Sequence, residues 1–556
     1  MMRRATVLLT VAATIAMLAG TGQSSATHQP RDFHLVACPE GVFPEDVNVD
    51  CGYIVVPENR ARPHGRQIRT MAAYVHAPSD DPAPDPIVFV SGGPSFGAIS
   101  DFSLGVYFAG AEFAEDHDLV LVDTRGTGFS TPRLGCSELD EAEVEAFYSD
   151  PYANAQGLPI AGDALRACRQ RLLAQGVHPA SYNTTESAAD LEALRQALGV
   201  RSWNVLAASA DGLLGLTYLR MFPHGIRSAI IDSGTSNTVL WGLDHDRGRL
   251  EMLETVFAGC KANHACNEKY PGIRHRLYRL VRQLNRTPLM VTIADFDPEP
   301  VTIPVDGASL LWDTEDLVFP GSGFEPESIH DLFEILWSQL HGGLEEHYRA
   351  LIGTGPVENA HTDDLLAQGK SMSYLCRDLV GFVTWKDRVE AARDIPANRH
   401  RYLDRGYDLA NGWWYPYSPA GCRFWKAGVA DPVIHRPVSS RIPTLVLAGE
   451  FDGAMPAYMV RQMLPTLKRS TYVEMPMSHH LQLASYNNSH ECSRRLATAF
   501  LAHPKGPVDT SCVEDLPRFD YTPLNPAISS LASTGMPLTW RGAPSDRREP
   551  IRSKGW

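Results

Sequence analysis

Two serines in this 556-residue chain stand in contexts that suit a nucleophile. Ser95 lies in the strict pattern G-x-S-x-G, as GPSFG at 93–97, directly after the apolar stretch PIVFV. Ser209 lies in AASAD at 207–211, between the strand-like SWNVL and the helix-like GLLGLTYLRMF. A nucleophilic serine needs a sharp strand-to-helix turn, so that its hydroxyl projects and the helix N-terminus faces the developing oxyanion. We favour Ser209, which has this context, and keep Ser95 as the alternative.

The elements that would position such a serine alternate along the first 236 residues. The strand-like stretches are CGYIVVPENR, QIRTMAAYVHA, PIVFV, DLVLV, SWNVL and SAIID, and the helix-like ones are SAADLEALRQALGV and LLGLTYLRMFP. This alternation predicts crossover connections and a mostly parallel sheet, hence an α/β fold. We expect the first two stretches to be edge strands. Helical patterns dominate from about 237 to 435, and strands resume with IPTLVLAG and STYVEMP, which predicts a large helical cap inserted between core strands.

The predicted organisation has five parts. They are a signal peptide (1–26), a first core part (27–236), the helical cap (237–435), a second core part (436–522) and a flexible tail (523–556). The first 26 residues contain two arginines, a short apolar run and small residues, the pattern of a secretory signal cut near Ala26. An uncleaved membrane anchor is the alternative, but the apolar run is shorter than the span of about 20 residues that a bilayer requires.

The composition restricts the partners. Fifty Lys and Arg against 65 Asp and Glu give a net charge of −15, which is unfavourable for a nucleic-acid surface. No later stretch is long and apolar enough to span a membrane. We therefore expect a peptide or small acyl substrate, no nucleic acid and no stable membrane insertion, in a secreted or cell-envelope protein. The oligomeric state stays open.

All ten cysteines follow the predicted signal peptide. An even number of cysteines in an exported chain predicts disulfides. The sequence does not fix their connectivity, although pairing of successive cysteines would close five bridges; buried free thiols are the alternative. There is no C-x-x-C pair, no H-E-x-x-H and no phosphate loop G-x-x-x-x-G-K. We expect no metal and no cofactor.

Several motifs resemble one known family. They are PIVFVSGGPSFG, DLVLVDTRGTGFS, YNTTESAADLEALRQALGVRSWNVLAAS with LTYLRMFP, CGYIVVPENR, YLCRD and TLVLAGEFDGAMP. Together they are similar to the secreted tripeptidyl aminopeptidase and proline iminopeptidase branch of the α/β-hydrolase fold, over most of the mature chain. The resemblance implies an α/β-hydrolase fold, a serine peptidase mechanism and cleavage near free peptide N-termini, with the cap admitting only short unblocked ends.

A serine hydroxyl is a weak nucleophile without a base and a group that orients the base. In this fold the chain order is nucleophile, acid, histidine. Asp452 follows an apolar strand and stands where the resemblance puts the acid, whereas Glu450 falls inside the strand end. His479 and His480 follow the strand-like STYVEMP, without the glycine that fixes the register in the family. We expect His480 to be the base, with His479 as the alternative.

The expected oxyanion donors are backbone N–H groups. One is the N–H of Ala210, directly after the nucleophile, and another comes from the Gly92-Gly93 loop. A glycine pair lets the backbone approach a substrate closely. The alternative is that Gly92 and Gly93 only form a tight turn.

The nucleophile segment departs from the family pattern G-x-S-Y-G. Ala207 and Asp211 replace the two glycines, and Ala210 replaces the tyrosine. The Asp211 carboxylate would oppose a developing oxyanion if it pointed inward. As a first-turn residue it would instead be favoured by the helix dipole, with Gly212 providing the close approach one position later. Three functions follow: an aminopeptidase, an esterase with the same machinery, and a catalytically silent ligand-binding protein.

Overall fold

The computed structural model describes residues 32–99, 103–139, 142, 157–294, 300–318, 327–353, 367–403 and 419–523. The predicted signal peptide lies outside these residues, as does the predicted tail apart from its first residue. Strands are found at His34–Val36 (β1), Val49–Pro57 (β2), Gln67–Val75 (β3), Ala83–Val90 (β4), His117–Val122 (β5), Trp203–Ala208 (β6), Ile226–Asp232 (β7), Leu289–Ile293 (β8), Val301–Val305 (β9), Thr444–Gly449 (β10) and Ser470–Met475 (β11).

Nine of the described strands form one sheet in the order β1-β2-β3-β5-β4-β6-β7-β10-β11. Three pairs are antiparallel: β1 with β2, β2 with β3, and β3 with β5. The other five pairs are parallel: β5 with β4, β4 with β6, β6 with β7, β7 with β10, and β10 with β11. The predicted mostly parallel sheet is confirmed. Because the parallel strands all run the same way, their C-terminal ends meet at one sheet edge.

The central strands are apolar because both faces of the sheet are covered. Every residue of β6 and of β10 is buried, the pattern expected of parallel strands packed between two layers. One buried cluster includes Val88, Val205 and Val446 on one face, and another includes Phe89, Leu206 and Leu447 on the other. Side chains that alternate along each strand therefore fill two cores.

Helices cover the sheet and make up most of the described residues between β7 and β10. They are found at Glu112–Asp116, Gly157–Ala174, Thr184–Ala197, Gly212–Met221, Leu243–Ala262, His264–Lys269, Ile273–Leu284, Gly307–Val318, Glu327–Ser338, Leu344–Gly353, Gln368–Tyr374, Trp385–Asp394, Arg399–Leu403, Pro419–Trp425, Ala457–Arg461 and His490–Ala502. The helix Thr184–Ala197 shows how local sequence sets the bounds. The Asn183 side chain caps it by accepting from the Glu186 N–H, and Gly199 follows its end with a φ of 70°.

The structure corrects the expected sheet edge. β2 and β3 are each paired on both sides, so they are not edge strands; the three-residue β1 forms that edge. Several described elements were not predicted from the sequence, among them the helices Gly157–Ala174 and His490–Ala502 and the antiparallel pair of β8 and β9 within the helical segment.

The helical segment has its own buried core. Leu253, Leu277 and Leu310 belong to a cluster formed mainly by residues between β7 and β10. A smaller cluster, which includes Leu213 and Tyr374, joins the segment to the end of β6. The five-part division of the chain stays a prediction, but this contact places helical-segment residues beside the serine after β6.

The ten cysteines form five disulfides, each between successive cysteines in the sequence. The pairs are Cys38–Cys51, Cys136–Cys168, Cys260–Cys266, Cys376–Cys422 and Cys492–Cys512. Among the described residues, no helix combines the length and the apolar character needed to cross a membrane.

Candidate active site

Ser209 lies on a strained turn at the C-terminal end of β6. Its φ of 52° falls in the left-handed region that residues with a side chain seldom adopt. A single 3-10 turn at Ser209–Asp211 leads directly into the helix Gly212–Met221. Such a strand-turn-helix arrangement projects the hydroxyl away from the sheet edge.

The close approach required by this turn occurs at Gly212. A Cβ on Gly212 would overlap the Thr235 nitrogen and the Gly234 backbone. The Thr235 N–H also donates to the Ser209 carbonyl, at 2.9 Å. The glycine thus stands one position later than in the family pattern, as the sequence analysis expected.

The structure brings Ser209, His480 and Asp452 together in one hydrogen-bonded chain. The Ser209 Oγ lies 2.9 Å from the His480 Nε2, and the His480 Nδ1 lies 2.8 Å from the Asp452 Oδ2. A hydroxyl that donates to Nε2, with Nδ1–H donating to the carboxylate, satisfies all three groups. These contacts have the geometry of a nucleophile, a base and an orienting acid.

Backbone N–H groups hold the Asp452 carboxylate oxygen that does not contact His480. This carboxylate is fully buried, and its Oδ1 accepts the N–H groups of Ala454 and Met455, at 3.0 and 2.7 Å. Both oxygens therefore have partners, and the acid needs no rearrangement to orient the imidazole.

The charges around His480 favour its protonated form. Burial lowers its pKa, but the negative charge of Asp452 and the hydrogen bond to Asp452 outweigh burial, with a further contribution from Asp232. The net effect is a pKa above the usual 6.5. An imidazole that readily holds a proton suits a group that must take one from a serine and return it to a leaving group.

His479, the neighbour of His480, has a different environment. It is 3% exposed and stacks on Tyr486 with an interplanar angle of 2°. Its Nδ1 has no hydrogen-bond partner among the described residues, and burial lowers its pKa. Of the two candidate histidines, the structure brings only His480 to the serine.

Ser95, the serine of the strict G-x-S-x-G pattern, has a different environment. It is buried, and its carbonyl accepts the Ala367 N–H at 3.1 Å. The second glycine of the pattern, Gly97, makes room for Asp123, since a Cβ there would overlap that carboxylate, and Gly128 does the same from the other side. The second glycine of this pattern therefore serves the packing around Asp123.

Asp123 fixes the loop that precedes the π-helix Ser103–Phe108. Its Oδ1 accepts the Ile99 N–H and its Oδ2 accepts the Phe129 N–H, at 2.8 and 2.7 Å. Burial raises the pKa of Asp123 to about 7, despite these hydrogen bonds. The carboxylate thus connects the glycine loop after β4 to the loop after β5.

The three expected oxyanion residues lie in two segments beside Ser209. Gly92 has a φ of 75°, and a Cβ there would overlap the Ala208 carbonyl and the Ser209 Cβ. Gly93 is one residue further along, and a Cβ there would overlap the Phe96 ring. Ala210 is buried at the start of the turn. Only glycine allows the loop to lie this close to Ser209.

Asp211 lies behind the turn, in a buried polar region supplied by the helical segment. It makes no capping hydrogen bond to the helix that it precedes. Burial raises its pKa to about 6, and the charge of Lys370 opposes this rise. Burial lowers the pKa of Lys370 to about 8, and Asp211 and Asp378 oppose this change. The replacement of the second glycine is thus accompanied by a buried cation.

The same helix, Gln368–Tyr374, contacts the residue after Ser209. The Tyr374 hydroxyl donates to the Ala210 carbonyl at 2.6 Å, and the side chain is 1% exposed. Lys370 donates to the Tyr182 carbonyl at 3.2 Å. Tyr374 and Lys370 were not predicted from the sequence, because nothing local in YLCRD or its surroundings indicates which strand end they meet.

The comparisons with known proteins agree with this architecture. Residues 85–268 match the family model described as alpha/beta hydrolase fold. The chain is an α/β hydrolase by fold. Residues 410–512 match the model described as TAP-like protein, so the predicted resemblance to the tripeptidyl aminopeptidase branch is confirmed at the level of this segment.

Curated relatives are similar over part of their length. Tripeptidyl aminopeptidase of Streptomyces coelicolor is 29% identical over 212 residues, which are 36% of this chain and 38% of that protein. Serine protease Hip1 of Mycobacterium tuberculosis is 26% identical over 222 residues, 39% of this chain and 42% of that protein. The match therefore spans about two fifths of each relative.

The match to a solved structure of a thermophilic esterase from Thermogutta terrifontis covers 82% of this chain and 99% of the esterase chain, at 13% identity and a TM-score of 0.34.

Proposed function

We propose that this chain is a serine hydrolase in which Ser209, His480 and Asp452 act as a catalytic triad. The observation that carries the proposal is the continuous chain of contacts from the Ser209 Oγ through both ring nitrogens of His480 to the Asp452 carboxylate, at 2.9 and 2.8 Å. A serine next to a base that is itself oriented by an acid is the arrangement that activates a hydroxyl.

In the proposed mechanism His480 takes the proton of Ser209 as the Oγ attacks the substrate carbonyl carbon. Asp452 stabilises the imidazolium, which then donates its proton to the leaving amine as the carbonyl–nitrogen bond breaks. The resulting acyl-enzyme is hydrolysed by a water that His480 deprotonates in turn. The Ala210 N–H and an N–H of the Gly92-Gly93 loop stabilise the oxyanion, and no step needs a cofactor.

The proposed substrate is a peptide with a free N-terminus, from which a short fragment or residue is released. The names of the curated relatives described above, tripeptidyl aminopeptidase and serine protease, support it.

We also propose that the chain acts outside the cytoplasm. Its first 26 residues have the pattern of a secretory signal, and all ten cysteines are paired in disulfides, which persist in oxidising compartments.

The first experiment tests the nucleophile with a fluorophosphonate, which reacts with activated serines. Wild-type protein should be labelled at Ser209, and Ser209→Ala should abolish the label. Ser95→Ala is the matched control and should be labelled as fast as wild type. Labelling that persists in Ser209→Ala and disappears in Ser95→Ala would assign the nucleophile to Ser95.

The second experiment tests the substrate with three fluorogenic compounds: a tripeptidyl amide with a free amine, the same amide with an acetylated amine, and a simple acyl ester. The proposal expects the free-amine amide to be cleaved with the highest kcat/KM. Cleavage of the ester alone would make the chain an esterase. Absence of both turnover and label would favour a catalytically silent binding protein.

A further inference from the structure

One turn contacts both the serine and the histidine segments. It begins at the last residue of β7 and consists of residues 232–235. At its far end the Thr235 N–H donates to the Ser209 carbonyl at 2.9 Å. In its middle the Ser233 Oγ accepts the Leu481 N–H at 3.1 Å. Ser233 itself has a φ of 49°, so the turn keeps a costly backbone conformation while making these contacts.

Asp232, the last residue of β7, makes the strongest of these connections. It is fully buried and lies between Ala208 of β6 and Leu447 of β10 in the sheet register. Its Oδ1 accepts the Gln482 N–H at 2.7 Å and its Oδ2 accepts the Leu483 N–H at 3.0 Å. Charge-assisted hydrogen bonds to backbone N–H groups are among the stronger ones in proteins.

These bonds hold the residues that directly follow His480. Leu481 has a φ of 68°, a conformation that a leucine adopts only where its surroundings enforce it. Three successive N–H groups, from 481 to 483, are bound by the turn after β7. The turn therefore fixes where the imidazole stands relative to Ser209.

We propose that Asp232 is a positioning residue of this site: it anchors the segment that carries His480 and adds a second buried negative charge beside the imidazole. The proposal rests on the proposed function, because it assigns a role in the proton transfer between Ser209 and His480. It also explains why a carboxylate, rather than a neutral amide, occupies a fully buried strand end.

The negative charge of Asp232 acts on His480. It contributes to the raised pKa of His480, next to the larger effects of Asp452. In turn, burial raises the pKa of Asp232 to about 6, against the effect of its two backbone hydrogen bonds and the charge of His480, and Asp452 raises it further. An ionised Asp232 therefore stabilises the imidazolium.

Other groups also face this pair. The Tyr107 hydroxyl interacts with Asp232 and Asp452, and burial raises its pKa well above 10. Tyr486 interacts with the same two carboxylates, and its pKa is also raised, mainly by burial. Burial lowers the pKa of His479. Arg494 adds a positive charge, since its side chain donates to the Leu483 and Tyr107 carbonyls at 3.0 and 3.1 Å. This cation is the same in the wild type and in the variants, so it does not affect their comparison.

The test measures the rate of fluorophosphonate labelling at Ser209 between pH 5 and 9. In Asp232→Asn the plateau rate should fall about tenfold, and the acid midpoint should move down by about half a pH unit, because a nearby negative charge has been removed. Asp232→Glu keeps the charge and should keep the wild-type midpoint. Asp118→Asn is the matched control: Asp118 accepts from the Tyr74 hydroxyl and the Ala77 N–H at the opposite sheet edge.

An unchanged midpoint in a folded, labelled Asp232→Asn variant would overturn the proposal. If wild-type Ser209 is not labelled at any pH, the proposed function fails instead, so the two failures are distinct. If Asp232→Asn does not fold, a measurement on the wild-type protein still tests the proposal. The low-field proton resonance on the His480 Nδ1 should show a second inflection near pH 6 as Asp232 gains a proton, and a single inflection would contradict the proposal.

Discussion

The two sides of Ser209 are built in different ways. We call residues 449–455 and 476–483, which carry Asp452 and His480, the histidine side. We call Ala210–Gly212 with the helix Gln368–Tyr374 the rear side. On the histidine side the buried Asp452 has a hydrogen-bond partner for each oxygen. On the rear side the buried Asp211 makes no capping hydrogen bond and interacts with Lys370 through charge.

The two acids differ in how near along the chain their partners lie. Asp452 accepts N–H groups two and three residues further along the chain, so local sequence orients this carboxylate. The rear side depends on a helix 164 residues away from Ala210. A glycine can therefore be replaced there when a distant cation and hydroxyl are present.

The largest expected effect comes from the histidine side. Asp452→Asn removes the acceptor that fixes the tautomer of His480, and kcat should fall about 10⁴-fold. Steady-state kinetics with the best amide substrate measures it. Glu450→Gln is the control: Glu450 accepts the Met477 N–H at 3.0 Å, an amide oxygen can replace that acceptor, and kcat should stay within about twofold. A loss confined to Glu450→Gln would move the acid to that position.

The second prediction concerns pH on the same side. His480 must be neutral to accept the serine proton, and its pKa is raised above 6.5. The rate should therefore fall about tenfold per pH unit as the pH drops below that raised pKa. A profile of kcat/KM from pH 5 to 9 measures it. An acid midpoint at or below 6.5 would show that the charges around His480 do not act as described.

The third prediction tests whether the rear side affects the rate. Tyr374→Phe removes the hydroxyl that donates to the Ala210 carbonyl, so the residue next to Ser209 is held less firmly. We expect kcat to fall about fivefold with KM unchanged, and stability to fall by about 1 kcal/mol. Tyr278→Phe, which removes a hydroxyl that donates to Glu254 in the helical segment, should lower stability without changing kcat. Equal kcat values in the two variants would make Tyr374 purely structural.

The smallest effect is the coupling between Asp211 and Lys370. Lys370→Met and Asp211→Asn each leave one buried charge without the other, and the double variant leaves neither. The stability changes should therefore deviate from additivity by about 1 kcal/mol, with the double variant more stable than the sum predicts. Urea unfolding of the four proteins measures this. Asp211→Asn combined with Asp118→Asn should be additive, and additivity in both cycles would show that the charge pair is absent.

The sequence predicted the elements whose signal is local. β4, β6 and β10 are apolar runs beside small turn residues, and the contexts of Ser209 and Asp452 follow from them. The prediction of the edge strands was wrong because β1, the actual edge strand, has only three residues, too few to show a strand pattern in the sequence. The pair of β8 and β9 was missed although LMVTI and VTIPV have a strand-like composition, because helical patterns surround them.

The parts of the site that the sequence did not predict depend on long-range contacts. Tyr374 and Lys370 reach the serine turn only through folding of the helical segment. Asp232 had a usable signal: it is a carboxylate at the C-terminal end of an apolar strand, SAIID, in a parallel sheet, and polar residues at such ends meet at one edge. Its backbone partners at 482 and 483 became evident only in three dimensions.

The order of the disulfides has a consequence for assembly. Each bridge joins cysteines that are neighbours in the series, 6 to 46 residues apart. A chain that enters an oxidising space from its N-terminus can therefore close each bond as soon as its second cysteine arrives. Oxidation in order of arrival already gives the native set, so the chain needs no later exchange of sulfur partners.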